Sequence, residues 1–253
     1  MVARPCRLLT ALLATLCASF QANAGTATVA VAANFLAPLE LLEKEFEAQG
    51  EHTLVLVSGS TGQLYTQVAN GAPFDVFLSA DEEHVDRLLD AGLAASGTRF
   101  TYAIGKLALF TRNAEKFQPL DLKTLERTDF RWLAIANPTL APYGLAAQQT
   151  LTALGLWDAL QARIVRGQSI AQTFAMAETQ NADLALVAQS QVIAYSGAAA
   201  SYEVPAELHD PLRQDAVLLA RAEGNAAARA FLEFLASANA ARIVERQGYS
   251  RSP

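Results

Sequence analysis

Four short stretches carry hydrogen-bond donors and no cationic side chain: AANF (32–35), SGSTGQ (58–63), NPTLAPYG (137–144) and GQSIAQ (167–172). Each follows an apolar run and precedes a helical pattern. The first turn of a helix leaves backbone N–H groups without partners, and the helix dipole adds partial positive charge there, so an anion satisfies both. Gly59 and Gly62 let the chain turn tightly. Ser60 and Thr61 add hydroxyls, Asn34 adds a carboxamide, and Tyr143, Ser169 and Ile170 sit at the other two junctions. Arg166 lies just before the fourth stretch, but no Lys or Arg falls inside any of the four. One such turn alone is better explained as an ordinary helix cap. Recurrence at four strand ends points instead to one shared cleft. Neutral donors suit a compact, dehydrated oxyanion such as a tetrahedral dianion, whereas phosphate esters are usually clamped by Arg and Lys.

Rival chemistries find little support. SGSTGQ lacks the Lys-Ser/Thr of a nucleotide-binding loop, and Ser58 stands where a hydrolase's nucleophile elbow needs Gly. A serine hydrolase acting through Ser60 would also need a positioned base. His52, His84 and His209 show no metal-ligand spacing and are expected to be solvated surface residues. Glu82 and Glu83 read as a solvated helix start. Trp132 and Trp157 read as packing residues.

The elements that must hold these turns follow from hydrophobic period. Strands are expected at 27–33, 53–57, 75–80, 104–111, 132–138, 162–165, 182–188 and 215–220. Helices are expected between them: at 36–50, where Leu39, Leu42 and Phe46 share a face, then at 63–71, 81–92, 144–155, 170–180 and 225–249. Strand–helix–strand alternation over this length predicts an α/β fold with parallel-type sheets flanked by helices, binding its ligand at the carboxyl ends of the strands. Two lobes with a ligand cleft between them are expected.

The chain has 253 residues, 19 of them basic and 25 acidic, and 52% are hydrophobic. Arg4 and Arg7, the apolar run from Leu8 to Phe20 and Ala22-Asn23-Ala24 form the pattern of a secretory signal peptide over 1–24, cleaved near Ala24. The run is too short for a membrane anchor, and Leu16 before Cys17 does not fit a lipoprotein signal. Cys6 and Cys17 are the only cysteines and both lie in that leader, so the mature chain is expected to have no disulfide and no thiolate chemistry. Loss of two arginines makes an acidic chain more acidic still, which argues against nucleic acid and anionic membranes as partners.

The pieces VAVAANFLAPLELLEKEFE, SGSTGQLYTQVANGAPFDVFLSADEEHVDRL, RFTYAIGKLALF, IANPTLAPYGLAAQQTL and FLEFLAS with ARIVERQGY together resemble the periplasmic molybdate-binding proteins of ABC transporters. The resemblance spans essentially the whole mature chain. It implies a two-lobed type II periplasmic binding fold, with lobe I at 25–104 plus 216–253 and lobe II at 105–215, crossed near Ile104 and Ala216. It implies high-affinity capture of molybdate, with tungstate, and delivery to an inner-membrane permease. It implies a periplasmic monomer that is neither an enzyme nor a carrier of a cofactor, and that binds metal only inside the oxyanion. The ligand positions it implies are Ala33 and Asn34, Thr61 with Ser60 as the neighbour that could take its place, Tyr143 through its N–H and its hydroxyl, and Ile170. Some members carry a tyrosine where this chain has Ala188, a gap that the Tyr143 hydroxyl would fill. Sulfate or phosphate binding is the nearest alternative. A regulator's sensing domain is disfavoured by the leader and by the lack of a DNA-binding segment.

Overall fold

The computed structural model describes residues 24–50 and 52–251. The expected signal peptide, with Cys6 and Cys17, lies outside the described residues up to Ala24. The first run of elements is β1 (Thr26–Ala32), α1 (Leu36–Glu47), β2 (Thr53–Gly59), α2 (Thr61–Ala69), β3 (Val76–Leu78), α3 (Glu83–Asp90) and β4 (Phe100–Gly105). The second is β5 (Leu107–Thr111), β6 (Leu133–Ala136), α4 (Pro142–Ala153), α5 (Trp157–Leu160), β7 (Ile164–Gly167), α6 (Ile170–Glu178), β8 (Leu184–Ala188), α7 (Gln189–Ala194) and β9 (Ala200–Glu203). β10 (Leu212–Leu218), α8 (Ala226–Leu235) and α9 (Ala238–Arg246) close the chain.

The strands form two five-stranded sheets, ordered β2-β1-β3-β10-β4 and β7-β6-β8-β5-β9. They are mixed rather than purely parallel. β1, β2 and β3 pair in parallel, and β10 runs antiparallel between β3 and β4. In the second sheet β6, β7 and β8 are parallel, and β5 runs antiparallel between β8 and β9. The reversed strand of each sheet is the one that enters it from the other. Both faces of both sheets are covered, as βαβ crossovers require. Along β1, Val29 and Val31 join one apolar cluster while Ala30 joins another on the opposite face. Along β5, Leu107 and Leu109 face one way and Ala108 and Phe110 the other.

Sequence periodicity and structure part at the crossings. The apolar run 104–111 reads as one strand, but it breaks at Lys106, so β4 belongs to the first sheet and β5 to the second. The return passage comes earlier than Ala216: β10 already pairs with β4 at Leu212 opposite Gly105. Polar Arg213, Gln214 and Asp215 hide this start from a hydrophobic-run reading. β9, with its half-exposed alternation, also goes unread.

Phe231 of α8 is fully buried and sits edge-on to Phe46 of α1 with ring centroids 5.6 Å apart. Truncating a buried Phe removes transfer free energy and leaves a cavity. Phe231→Ala should therefore cost about 3–5 kcal/mol, read as a lowered urea midpoint at unchanged slope.

Candidate functional site

β1, β2, β6 and β7 end at the same side of the molecule, and the turns after them meet. Ala33, Asn34, Ser60, Thr61, Tyr143 and Ile170 all line one small cavity between the sheets. Ala32, Ala80, Ala141 and Pro142 complete its wall, so no lining residue is charged. Its volume is about 10 Å³, far below the about 300–1,000 Å³ of sites for organic ligands. Three helices start at this cavity: α2 at Thr61, α4 at Pro142 and α6 at Ile170. Their first-turn N–H groups have no intrahelical partners.

Ser60 decides between a cap and a ligand turn. It holds the N-cap position of α2, yet its hydroxyl makes no cap hydrogen bond. Ser60 is buried, and its Oγ is without any partner among the described residues. Ser169, at the head of α6, does what an ordinary cap does and accepts from the Gln172 N–H at 3.3 Å. The Thr61 hydroxyl accepts the Ala80 N–H at 3.1 Å, which braces the turn against the end of β3. A buried hydroxyl without a partner carries a desolvation penalty, and Ser60 is among the residues that line the small uncharged cavity.

The lobes touch directly. The Gly62 N–H donates to the Leu140 carbonyl at 2.9 Å, a main-chain bond from α2 to the turn before α4. A Cβ on residue 62 would sit 3.1 Å from that oxygen, closer than ordinary packing. Ala32, Ala33 and Ala80 of the first lobe share an apolar cluster with Leu107, Ile135 and Tyr143 of the second.

Behind the cavity lies a buried polar network that the sequence does not announce. Asn34 Nδ2 donates to Gln214 Oε1 at 2.8 Å and to the Tyr249 hydroxyl at 3.0 Å. The Tyr249 hydroxyl donates to the Asn34 carbonyl at 2.8 Å, and Ser190 Oγ donates to the same oxygen at 2.9 Å. Tyr102 donates to Gln214 Oε1 at 3.1 Å. The Tyr143 hydroxyl accepts from Gln214 Nε2 at 3.2 Å. Two expectations change as a result. Both amide hydrogens of Asn34 are taken, so its turn is left with main-chain N–H groups to offer. The Tyr143 hydroxyl points into the network and does not stand in for the tyrosine that is Ala188 here; β8 simply ends at buried Ala188. His84 is not solvated either: its Nδ1 lies 2.8 Å from Asp81 Oδ2 with the side chain 14% exposed. No cluster of three or more potential metal ligands exists among the described residues.

Burial dominates the ionisation of the network's phenols. It pushes the Tyr249 hydroxyl up to about 12, partly offset by its hydrogen bonds with Ser190, Asn34 and Tyr143. Burial, reinforced by the neighbouring Tyr249, holds Tyr102 and Tyr143 well above the usual tyrosine range. All three therefore remain neutral donors at physiological pH.

Two α/β lobes that meet at a small charge-free cavity frame the comparison with known proteins. The chain matches the bacterial extracellular solute-binding protein family over residues 27–250 and belongs to it. Within that class it is 41% identical to molybdate-binding protein ModA of Rhodobacter capsulatus over 228 residues, 90% of this chain and 89% of that one. It is likewise 41% identical to ModA of Azotobacter vinelandii over 230 residues, 90% of this chain and 91% of that protein. The solved Azotobacter vinelandii periplasmic molybdate-binding protein superposes with a TM-score of 0.85 at 39% identity, covering 90% of this chain and all 100% of the other.

A tyrosine kept neutral by the fold but free to ionise in the unfolded chain leaves stability flat below pH 10 and removes it above, by up to about 1.4 kcal/mol per pH unit. Stability should thus fall from pH 10 upward toward about 12, where Tyr249 itself ionises in the fold. Tyr249→Phe should fall less steeply over that window, as urea titrations at successive alkaline pH values would reveal.

Proposed function

We propose that this protein captures molybdate, and tungstate with it, outside the cytoplasm and delivers it to the permease of an ABC transporter. The observation that carries the reading is the meeting of four uncharged strand-to-helix turns around one small cavity with an unpartnered buried hydroxyl in its wall. The names borne by relatives at 41% identity point the same way.

In this reading the anion takes hydrogen bonds from the main-chain N–H groups of Ala33 and Asn34, of Thr61, of Tyr143 and of Ile170, and from the Ser60 hydroxyl. Ser60 and Thr61 then act together: one supplies a side-chain donor, while the other supplies its N–H and braces the turn through Ala80. Removing a dianion from water is costly unless every lost hydration contact is replaced. Fixed dipoles at helix starts replace them without a counter-ion, and each hydrogen bond to a charged group contributes about 1.5–3 kcal/mol. The molybdenum atom meets no side chain; it enters inside its oxide shell. No bond is made or broken, and no resident cofactor is involved. The lobes close on the ligand by selecting the closed state, and release to the permease reopens them. The protein works as a periplasmic monomer.

Two measurements bear on this. A molybdate concentration a hundredfold above Kd should add about 2.7 kcal/mol of stability, seen as a thermal shift with molybdate and tungstate and little or none with sulfate or phosphate. A shift with sulfate or phosphate alone would reassign the anion, and none with any of the four would discard the reading. Ser60→Ala removes one charge-assisted donor and should weaken molybdate by about 10–150-fold in calorimetry; wild-type affinity would exclude Ser60 as a ligand.

A further inference from the structure

β10 carries a polar pair, Gln214 and Asp215, that is almost completely buried, next to half-buried Arg213 and ahead of the apolar run Ala216–Leu218. The pairing slips at this point: Gln214 is opposite Ala103, whereas Asp215 is opposite Thr101, so Tyr102 of β4 is an extra, bulged residue. Bulges bend a strand and re-aim side chains, often beside functional sites. Here the bulge brings the Tyr102 hydroxyl onto the Gln214 carboxamide at 3.1 Å. Asp215 instead bonds Arg99 at 2.5 Å and Thr101 at 2.7 Å; it shares no hydrogen bond with Gln214, though its charge helps keep the Tyr102 phenol neutral.

Gln214 stands where the lobes meet. Its oxygen accepts from Asn34, at the first lobe's anion turn, and its nitrogen donates to Tyr143, at the start of α4 in the second lobe. A carboxamide is the neutral side chain that offers an acceptor and donors on one rigid plane. A carboxylate would lose the N–H donor and set a negative charge behind an anion site. Gly105 at the crossing leaves the space: a Cβ there would collide with both the Tyr143 hydroxyl and the Gln214 amide.

We propose that Gln214 is a positioning residue that ties the Asn34 turn of one lobe to the Tyr143 turn of the other, so that lobe closure and assembly of the anion site are one event. The inference rests on the molybdate reading. Gln214 touches no ligand in it. It holds the Asn34 side chain so that this turn presents main-chain N–H groups, and it fixes α4 through the hydroxyl of Tyr143, the residue whose main-chain N–H is a ligand.

The test is a double-mutant cycle between Gln214→Met, which keeps volume and removes both polar atoms, and Tyr143→Phe, which removes the hydroxyl but keeps the main-chain N–H of α4. Molybdate calorimetry on the full mature chain gives Kd, and solution X-ray scattering with saturating molybdate gives closure. Each single variant should weaken molybdate at least tenfold, and the double variant should lose no more than the worse single, because both break the same bridge. The variants should also need more molybdate than wild type to reach the compact, closed dimensions. Losses that multiply in the double variant, or a single-variant Kd within twofold of wild type, would overturn the proposal. If Gln214→Met fails to fold, Tyr143→Phe alone carries the test by the same twofold criterion. Absence of heat from wild-type protein with both molybdate and tungstate refutes the functional reading itself, and with it this inference. Wild-type binding with indifferent variants refutes the inference alone.

Discussion

A dianion buried without a counter-ion must exchange its water for dipoles already in place, because any group that had to reorganise on binding would return much of the gain. Under the proposed function, that constraint accounts for the form of the architecture. Strand-to-helix junctions gather at one end of each sheet, and two sheets facing each other through their carboxyl ends bring several helix starts to one point. The wall is uncharged down to its alanines: Ala32, Ala33, Ala80 and Ala141 keep the volume small and let backbone approach backbone. The formal charges of this region are held outside. Arg99 engages Asp215 and Asp86, and Glu82 lies near both Arg99 and Arg213, all away from the cavity wall.

Rigid dipoles need rigid supports, and here the support is polar. Asn34, Tyr102, Tyr143, Ser190, Gln214 and Tyr249 form a network in which each member satisfies another. Phe35 packs edge-on against both Tyr102 and Tyr249, with ring centroids 4.6 and 5.4 Å away. A fully satisfied buried network specifies one arrangement, since any shift leaves a polar group unpaired. Keeping the three phenols neutral serves the same end: in the proposed molybdate reading, a phenolate here would repel the anion.

How much of this could be read from the chain depends on sequence distance. The turns were legible because a helix start and its donors are local: SGSTG and APYG declare themselves within a few residues. The parallel part of each sheet was legible for the same reason, through repeated strand–helix–strand units. The network was not. Its bonds join Asn34 to Gln214 and to Tyr249 across 180 and 215 positions, and Gln214, which links them, sits in no motif. The one usable hint was a Gln-Asp pair directly before the apolar run Ala216–Leu218, an arrangement that is costly if buried unless both groups find partners. The Tyr143 hydroxyl misled because chain position says where a ring begins and not where its far end goes. Ser60 and Ser169 look alike as caps in sequence; only the burial and bonding of each hydroxyl separates them.

The bond from Gly62 to the Leu140 carbonyl has an evolutionary consequence. Because backbone meets backbone, residue 140 can drift among side chains without erasing the contact, whereas residue 62 cannot gain even a methyl group without crowding it. The clasp between the halves is thereby recorded in a single letter of the chain, and its loss would mark a descendant that no longer shuts in the same way.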